Sequence, residues 1–397
     1  MKLPAGVTES YVDCRDSCGL IFHILQSGKG PRTSTTTTNN DEEKKKLPLL
    51  LFCHGYPELA YSWRKILPRI AEAGPYYCVA VDQRGYGRTT TSSSTSTVGG
   101  KADYDSVDLS DYVFTNLVRD LVCLVYGLGY TEVFSIVGHD FGGVSSAMAA
   151  LMRPDIFKST VQLSHPHHAP PVPHKQKVDF DIQVELAKLD PPRKHYKWYN
   201  STPQAARDWD RPPQGLAKFL RGYFHLKSAD WSPNHNAHPL KEWTAQALTV
   251  MPEYYIMRAE HTMPETVSRN MEGENVLQTE RWLSDEDLEI YCAEWRRTGF
   301  QGALNWYRAQ TSSTPQARRD LLLFAGRKLT VPVTFISGAQ DWGNYQQPGA
   351  LESYDDPETV APGCYRGATL IQGAGHWVQQ EQPDAVVEAL LRFFGTL

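Results

Sequence analysis

Six short runs of mainly apolar residues, at 47–53, 78–81, 132–137, 161–163, 331–337 and 368–371, constrain this chain more than any other feature of its sequence. Each is closer to continuous than to alternating, the pattern of a strand buried on both faces. Segments with apolar positions three and four apart lie between or after them, at 63–73, 109–126, 144–152 and 384–394, and Asp108 or Ser110 is placed to cap the second. Strand alternating with helix implies crossover connections, and these give an α/β fold whose sheet is mostly parallel and flanked by helices on both faces. Residues 11–16 and 20–26 add a hairpin around Ser17-Cys18-Gly19.

The alternation stops at residue 165 and resumes at 331, and the interval holds proline-rich loops and helical segments at 216–224, 285–297 and 299–307. A chain of 397 residues exceeds one average domain. The simplest division is a core in two parts, 1–164 and 326–397, with an α-helical lid inserted over 165–325. The polar tracts at 27–46 and 89–100 read as surface loops, because their serine, threonine and charged residues give a core nothing to bury.

A net charge of −5 offers no electrostatic reason to expect nucleic acid or an anionic membrane as partner, and a neutral small molecule fits better. The first twelve residues contain no apolar stretch, so neither a signal peptide nor an anchor is expected, and no window approaches the ~18 apolar residues of a spanning helix. The seven cysteines are an odd number, scattered, and partly inside the apolar runs. They read as reduced thiols of a cytoplasmic protein. Cys14 and Cys18 lack a second pair at ligand spacing, and His165, His167 and His168 stand among prolines without carboxylates, so no metal is expected.

Chemistry concentrates at the strand ends. Gly138-His139-Asp140-Phe141-Gly142 lies between a strand and a helix and has the form of a nucleophile elbow carrying aspartate. The pentapeptide alone is weak; its partners strengthen it. An elbow needs an acid and then a histidine, each just past a late strand. Asp341 follows the run at 331–337 and His376 follows 368–371. After the first buried run, His54-Gly55-Tyr56-Pro57 supplies a tight turn in which Pro57 suits a cis bond. There the backbone N–H groups of Tyr56 and Phe141 are placed to face a developing oxyanion. His54 and His139 read as hydrogen-bonding supports of these loops.

Aspartate changes the reaction class. A carboxylate with an ordinary pKa near ~3.9 is already charged at neutral pH and can displace a leaving group from saturated carbon, giving an alkyl ester on Asp140. Water activated by His376, with Asp341 as its orienter, then attacks the carbonyl carbon of that ester. Displacement is in line, so the group that stabilises the departing oxygen has to face Asp140 from the lid.

The strings HGYPE, DQRGYGRT, GHDFGG, NWYRA and GAGHW span most of the chain, and in them it resembles the soluble epoxide hydrolases of the α/β-hydrolase fold. The resemblance implies a small-molecule epoxide as substrate, a diol as product, no cofactor, and two lid tyrosines that donate to the epoxide oxygen. One is Tyr307 of NWYR. For the other, the spacing to Pro203 favours Tyr196 over Tyr199, and Tyr199 and Trp377 are expected to line the substrate cavity. Where the family usually has tryptophan after the nucleophile, this chain has Phe141, which keeps the backbone N–H. Phe141 also lacks the side-chain donors that haloalkane and fluoroacetate dehalogenases place there, which disfavours the nearest rival. A silent hydrolase-fold receptor has no need of the three groups together, whereas an enzyme that opens the ring with a substrate hydroxyl stays open, as does a homodimer.

Overall fold

The computed structural model describes residues 1–30, 46–91, 97–98, 101–170, 172–173, 181–311 and 320–397. In chain order the strands among them are β1 (Thr8–Cys14), β2 (Leu20–Ser27), β3 (Leu49–Cys53), β4 (Tyr77–Val81), β5 (Thr90–Thr91), β6 (Thr97–Val98), β7 (Lys101–Ala102), β8 (Ser135–His139), β9 (Thr160–Leu163), β10 (Arg193–His195), β11 (Ile256–Arg258), β12 (Val333–Gly338) and β13 (Tyr365–Ile371). The main sheet runs β1-β2-β4-β3-β8-β9-β12-β13, with β5 beside β2. From β4 to β13 every pairing is parallel, and β1, β2 and β5 are antiparallel.

Burial on both faces follows from the uninterrupted apolar runs. Leu50, Phe52, Val137, Val161 and Ile336 face one side, with Leu67 and Ile70 of the helix Leu67–Ala73 and Val386, Leu390 and Phe393 of the helix Pro383–Phe394. Leu49, Leu51, Ile136, Val333 and Phe335 face the other, with Leu121 and Leu124 of the helix Phe114–Gly127 and Met148 of the helix Phe141–Met152. Each such side chain contributes about 1.5–3 kcal/mol on burial. Trp209, Phe219, Tyr223 and Trp295, which come from the segment between β9 and β12, belong to the first cluster, and Trp209 and Trp295 meet Tyr56 in the loop after β3, so that segment packs over the edge of the sheet where the loops leave it.

Register gathers the functional loops. Cys53 pairs with Gly138, His139 with Leu163, and Gly338 with Ile371. The loops that follow β3, β8, β9, β12 and β13 therefore leave one edge of the sheet at nearly one level, where a parallel sheet places its ligand crevice.

Four readings need correction. The last apolar run, 368–371, belongs to β13, an edge strand whose residues alternate between half-buried and exposed and which is not buried on both faces. Residues 109–126 are not one helix: Asp108 caps a 3-10 turn over Leu109–Tyr112, extended Val113 interrupts it, and the α-helix begins at Phe114. The interval after residue 165 contains a strand pair, β10 with β11, whose three-residue length leaves no periodicity to read. The tract at 89–100 is partly stranded, since β5 pairs with β2 and β6 with β7. Most of the tract at 27–46 lies outside the described residues.

Candidate active site

Asp140 is the single residue between β8 and the helix Phe141–Met152, at φ 51° and ψ −116°. Aspartate tolerates positive φ better than most residues, yet this geometry costs about 1–3 kcal/mol and lifts the carboxylate above the sheet edge. Glycine is required around it. A Cβ on Gly55 would stand 2.6 Å from the Asp140 Oδ1, and one on Gly142 would stand 2.7 Å from the His54 carbonyl oxygen.

The residues chosen at the strand ends meet. His376 Nδ1 lies 3.0 Å from Asp341 Oδ2, and His376 Nε2 lies 3.6 Å from Asp140 Oδ2, with no hydrogen-bond partner among the described residues. The Gly343 amide donates to Asp341 Oδ1 at 2.6 Å and fixes its other oxygen on the imidazole. The Tyr56 amide donates to Asp140 Oδ1 at 3.0 Å, and the Tyr56-Pro57 bond is cis. Burial opposes a charge on Asp140, but the neighbouring His376, then Lys227 and His139, hold its carboxyl well below the usual range. Burial likewise opposes a charge on Asp341, and His376 with the Gly343 amide outweighs it.

Beneath these groups lies a buried polar network. His139 Nδ1 pairs with Glu58, and His139 Nε2 and the Ser164 hydroxyl meet the His376 carbonyl at 2.6 and 3.0 Å. Glu58 also accepts from Gln379 (2.9 Å), Gln380 (3.1 Å) and the Gly55 amide (3.2 Å). His54 accepts the Gln83 amide at 3.2 Å. On the far side, the His376 amide donates to the Lys227 carbonyl at 2.8 Å, while Glu381 accepts from the amides of Gly375 (2.9 Å), Trp377 (2.9 Å) and Ala229 (2.8 Å).

Tyr307, on the helix Gln301–Thr311, packs edge-on against Phe141 (4.6 Å between centroids), Tyr56 (5.3 Å) and Tyr196 (5.8 Å). The rest of NWYR fixes that helix: the Trp306 indole donates to the Arg84 carbonyl at 2.9 Å, and Arg308 bridges Asn305 and the Tyr104 carbonyl. The Tyr196 hydroxyl reaches Gln346 at 3.5 Å. Burial raises both phenols well above the ordinary tyrosine range; the partner phenol and then Asp140 add to this for Tyr307, and Asp140 adds to it for Tyr196.

Comparison with known proteins gives the family. The α/β-hydrolase fold family matches residues 48–249. Epoxide hydrolase A of Mycobacterium tuberculosis (strain ATCC 25618 / H37Rv) is 30% identical over 87% of this chain and 90% of its own length. The chain belongs to the epoxide hydrolase family of the α/β-hydrolase fold. Among solved structures, an epoxide hydrolase from an endophytic Streptomyces is similar over 99% of this chain and 96% of its own (TM-score 0.73, 27% identity). Potato (Solanum tuberosum) epoxide hydrolase I is similar over 98% and 100% (TM-score 0.67, 25% identity).

Two residues expected to line the cavity of this epoxide hydrolase give their polar atoms to protein partners. The Tyr199 hydroxyl donates to Asp208 at 2.7 Å, because its place on the short helix Tyr196–Asn200 turns it toward the helix Pro203–Asp210. Trp377 is fully buried, its indole donates to the Phe224 carbonyl at 2.8 Å, and it packs edge-on to His376 at 4.6 Å. It props the histidine instead of offering a polar atom to a ligand. His165 and His167 are pushed down to about 4 by burial, so they are uncharged at neutral pH. Glu58, Lys227 and Glu381 received no role from the sequence. Glu58 stood inside HGYPE directly after a buried strand, which is a usable signal; the other two sit in segments of ordinary surface composition.

Proposed function

We propose that this chain hydrolyses a small-molecule epoxide to a vicinal diol through an ester on Asp140, under a lid formed by residues 165–325. Asp140 attacks a ring carbon, the carbon–oxygen bond breaks, and Tyr307 and Tyr196 stabilise and protonate the departing oxygen. Their raised pKa values keep both phenols protonated across the neutral range. His376 then takes a proton from water, which attacks the ester carbonyl carbon; Asp341 holds the imidazole, and the Tyr56 and Phe141 N–H groups receive the oxyanion. On collapse the alkyl oxygen leaves with the proton held by His376, and the second proton of the water, left on the Asp140 carboxyl, returns to the tyrosine, so that the diol departs and the carboxylate and both phenols are restored. In the resting site the Tyr56 N–H already rests on Asp140 Oδ1, the oxygen that becomes that oxyanion or the ester oxygen.

One observation carries this reading: His376 Nε2 faces Asp140 across 3.6 Å with no other partner among the described residues, while Nδ1 is held by Asp341. That gap suits a water on its way to an ester at Asp140. The test is a single turnover in ¹⁸O-water with enzyme in excess. Label is expected in Asp140 and not in the first diol, and label in the first diol alone refutes the covalent route. We also read the protein as cytoplasmic, since all seven cysteines are free, and among the described residues no helix is long and apolar enough to cross a membrane.

A further inference from the structure

Tyr196 opens the short helix Tyr196–Asn200, and aromatic neighbours hold its ring: His195 stacks on it at 5.1 Å, while Tyr255 and Tyr307 meet it edge-on at 5.1 and 5.8 Å. Its amide donates to the Tyr255 carbonyl at 2.9 Å, so the backbone is held as well. The freedom that remains is rotation of the hydroxyl, and a phenol has one hydrogen to give. That hydrogen goes to Gln346 Oε1 at 3.5 Å, the long limit of a hydrogen bond. Gln346 is 8% exposed and comes from the core, on the loop that orients the histidine. Asp341 accepts the Gly343 amide at 2.6 Å, Asn344 donates to the Gly338 carbonyl at 2.9 Å, and the 3-10 turn Trp342–Tyr345 that these bonds secure ends on Gln346. The core thus sets a second acceptor beside one of the two lid phenols.

We propose that Gln346 is a positioning residue that competes with the epoxide oxygen for the Tyr196 hydroxyl, and so restrains ring opening. The inference rests on the role of Tyr196 proposed above. An epoxide oxygen that draws the Tyr196 hydrogen has to displace Gln346 from it, and the amide oxygen loses a donor in a buried place. One hydrogen bond is exchanged for another, so a neutral epoxide gains little from Tyr196. As the carbon–oxygen bond breaks, the departing oxygen takes on negative charge and becomes a stronger acceptor than the amide, and the exchange turns in its favour. Whether the hydrogen moves on binding or during ring opening, the bond to Gln346 is gone by the transition state. Its loss is therefore felt in full between the free enzyme with free epoxide and that transition state. Removing the amide removes the restraint, and only a chain that keeps the Tyr196 hydroxyl can register the change.

The experiment is a double-mutant cycle on ester formation, followed by rapid mixing with styrene oxide over a range of concentrations, quenching, and intact-mass detection of the alkyl-enzyme. The quantity read is the rate constant for ester formation divided by the substrate dissociation constant. In Q346L it is expected to rise about three- to tenfold, the usual worth of one hydrogen bond. The same rise is expected when Q346L is added to Y307F, where Tyr196 is still the donor. Added to Y196F, it should change the ratio by less than about 1.5-fold, because the contested hydrogen is no longer there. Q346M, closer in shape to glutamine, serves where the leucine variant does not fold. A ratio that stays level or falls in the Gln346 variants overturns the proposal, as does a rise of equal size in the Y196F background, which would mark a packing effect. Diol formed by the wild-type enzyme with no ester on Asp140, or no diol from styrene oxide or any of a panel of aliphatic epoxides, instead refutes the reading on which the proposal stands.

Discussion

Replacing Glu58 by alanine should destabilise the fold by about 3–5 kcal/mol, the usual cost of breaking a fully buried charge pair from one side. The structure makes that loss specific. Glu58 and His139 are both inaccessible, and one carboxylate serves His139, Gln379, Gln380 and the Gly55 amide. Alanine strands all four donors, each of which costs about 1–3 kcal/mol when buried without a partner, non-additively. Glutamine retains one oxygen for Gln379 and Gln380, and His139 can turn neutral with Nε2–H still on the His376 carbonyl. E58Q should therefore lose about 1–2 kcal/mol, well short of alanine. The pH dependence has a definite sign. Burial opposes charge on Glu58, yet His139 holds its pKa below the ordinary value, so its stabilisation is present above about 4.3 and disappears as pH falls through the folded value. Burial opposes charge on His139 too, and Glu58 raises it; that stabilisation is complete below about 6.5 and disappears as pH rises through the folded value. Urea unfolding followed by tryptophan fluorescence from about pH 2 to 9 measures both. Stability of E58A within about 1 kcal/mol of wild type, or a pH slope unchanged in E58Q, would refute this account of the network.

D140A should form no ester and lose at least about four orders of magnitude in turnover, read by intact mass and diol formation. Y307F and Y196F should each slow ester formation about 10²–10³-fold, as removal of a donor to a developing oxyanion does, while Y199F stays within about threefold because its hydroxyl is bound to Asp208. Stopped-flow single turnovers separate the three. The rate of ester formation should be flat between about pH 5 and 9, since the Asp140 carboxyl is held low by His376 against burial and burial keeps both phenols protonated. A rise with an inflection near neutrality would refute that assignment of charge.

What was legible in the sequence was what obeys a local rule. The strands buried on both faces announce themselves as continuous apolar runs, and Asp140 and Asp341 stand where the chain leaves such strands, while His376 follows the edge strand β13, whose residues alternate between half-buried and exposed. Groups defined by distant partners were not legible. Glu58 meets residues more than 300 positions away, and Lys227 is a boxed cation only because Tyr255 and Trp377 arrive from other parts of the chain. The direction of a polar atom was not legible either: on one short helix Tyr196 and Tyr199 send their hydroxyls to different partners, Gln346 and Asp208.

The clasp at Glu381 bears on how such enzymes can be recombined. One carboxylate holds Gly375 and Trp377 on the histidine loop together with Ala229, and the Lys227 carbonyl adds the His376 amide. A chimaera that takes the insertion from one parent and the C-terminal strand and loop from another would cut through this junction, whereas exchanging residues 227–229 and 375–381 as a set leaves it whole. Modularity in this fold therefore follows hydrogen bonds across the crevice, and a crossover placed at the boundary of the insertion separates parts that work as one piece.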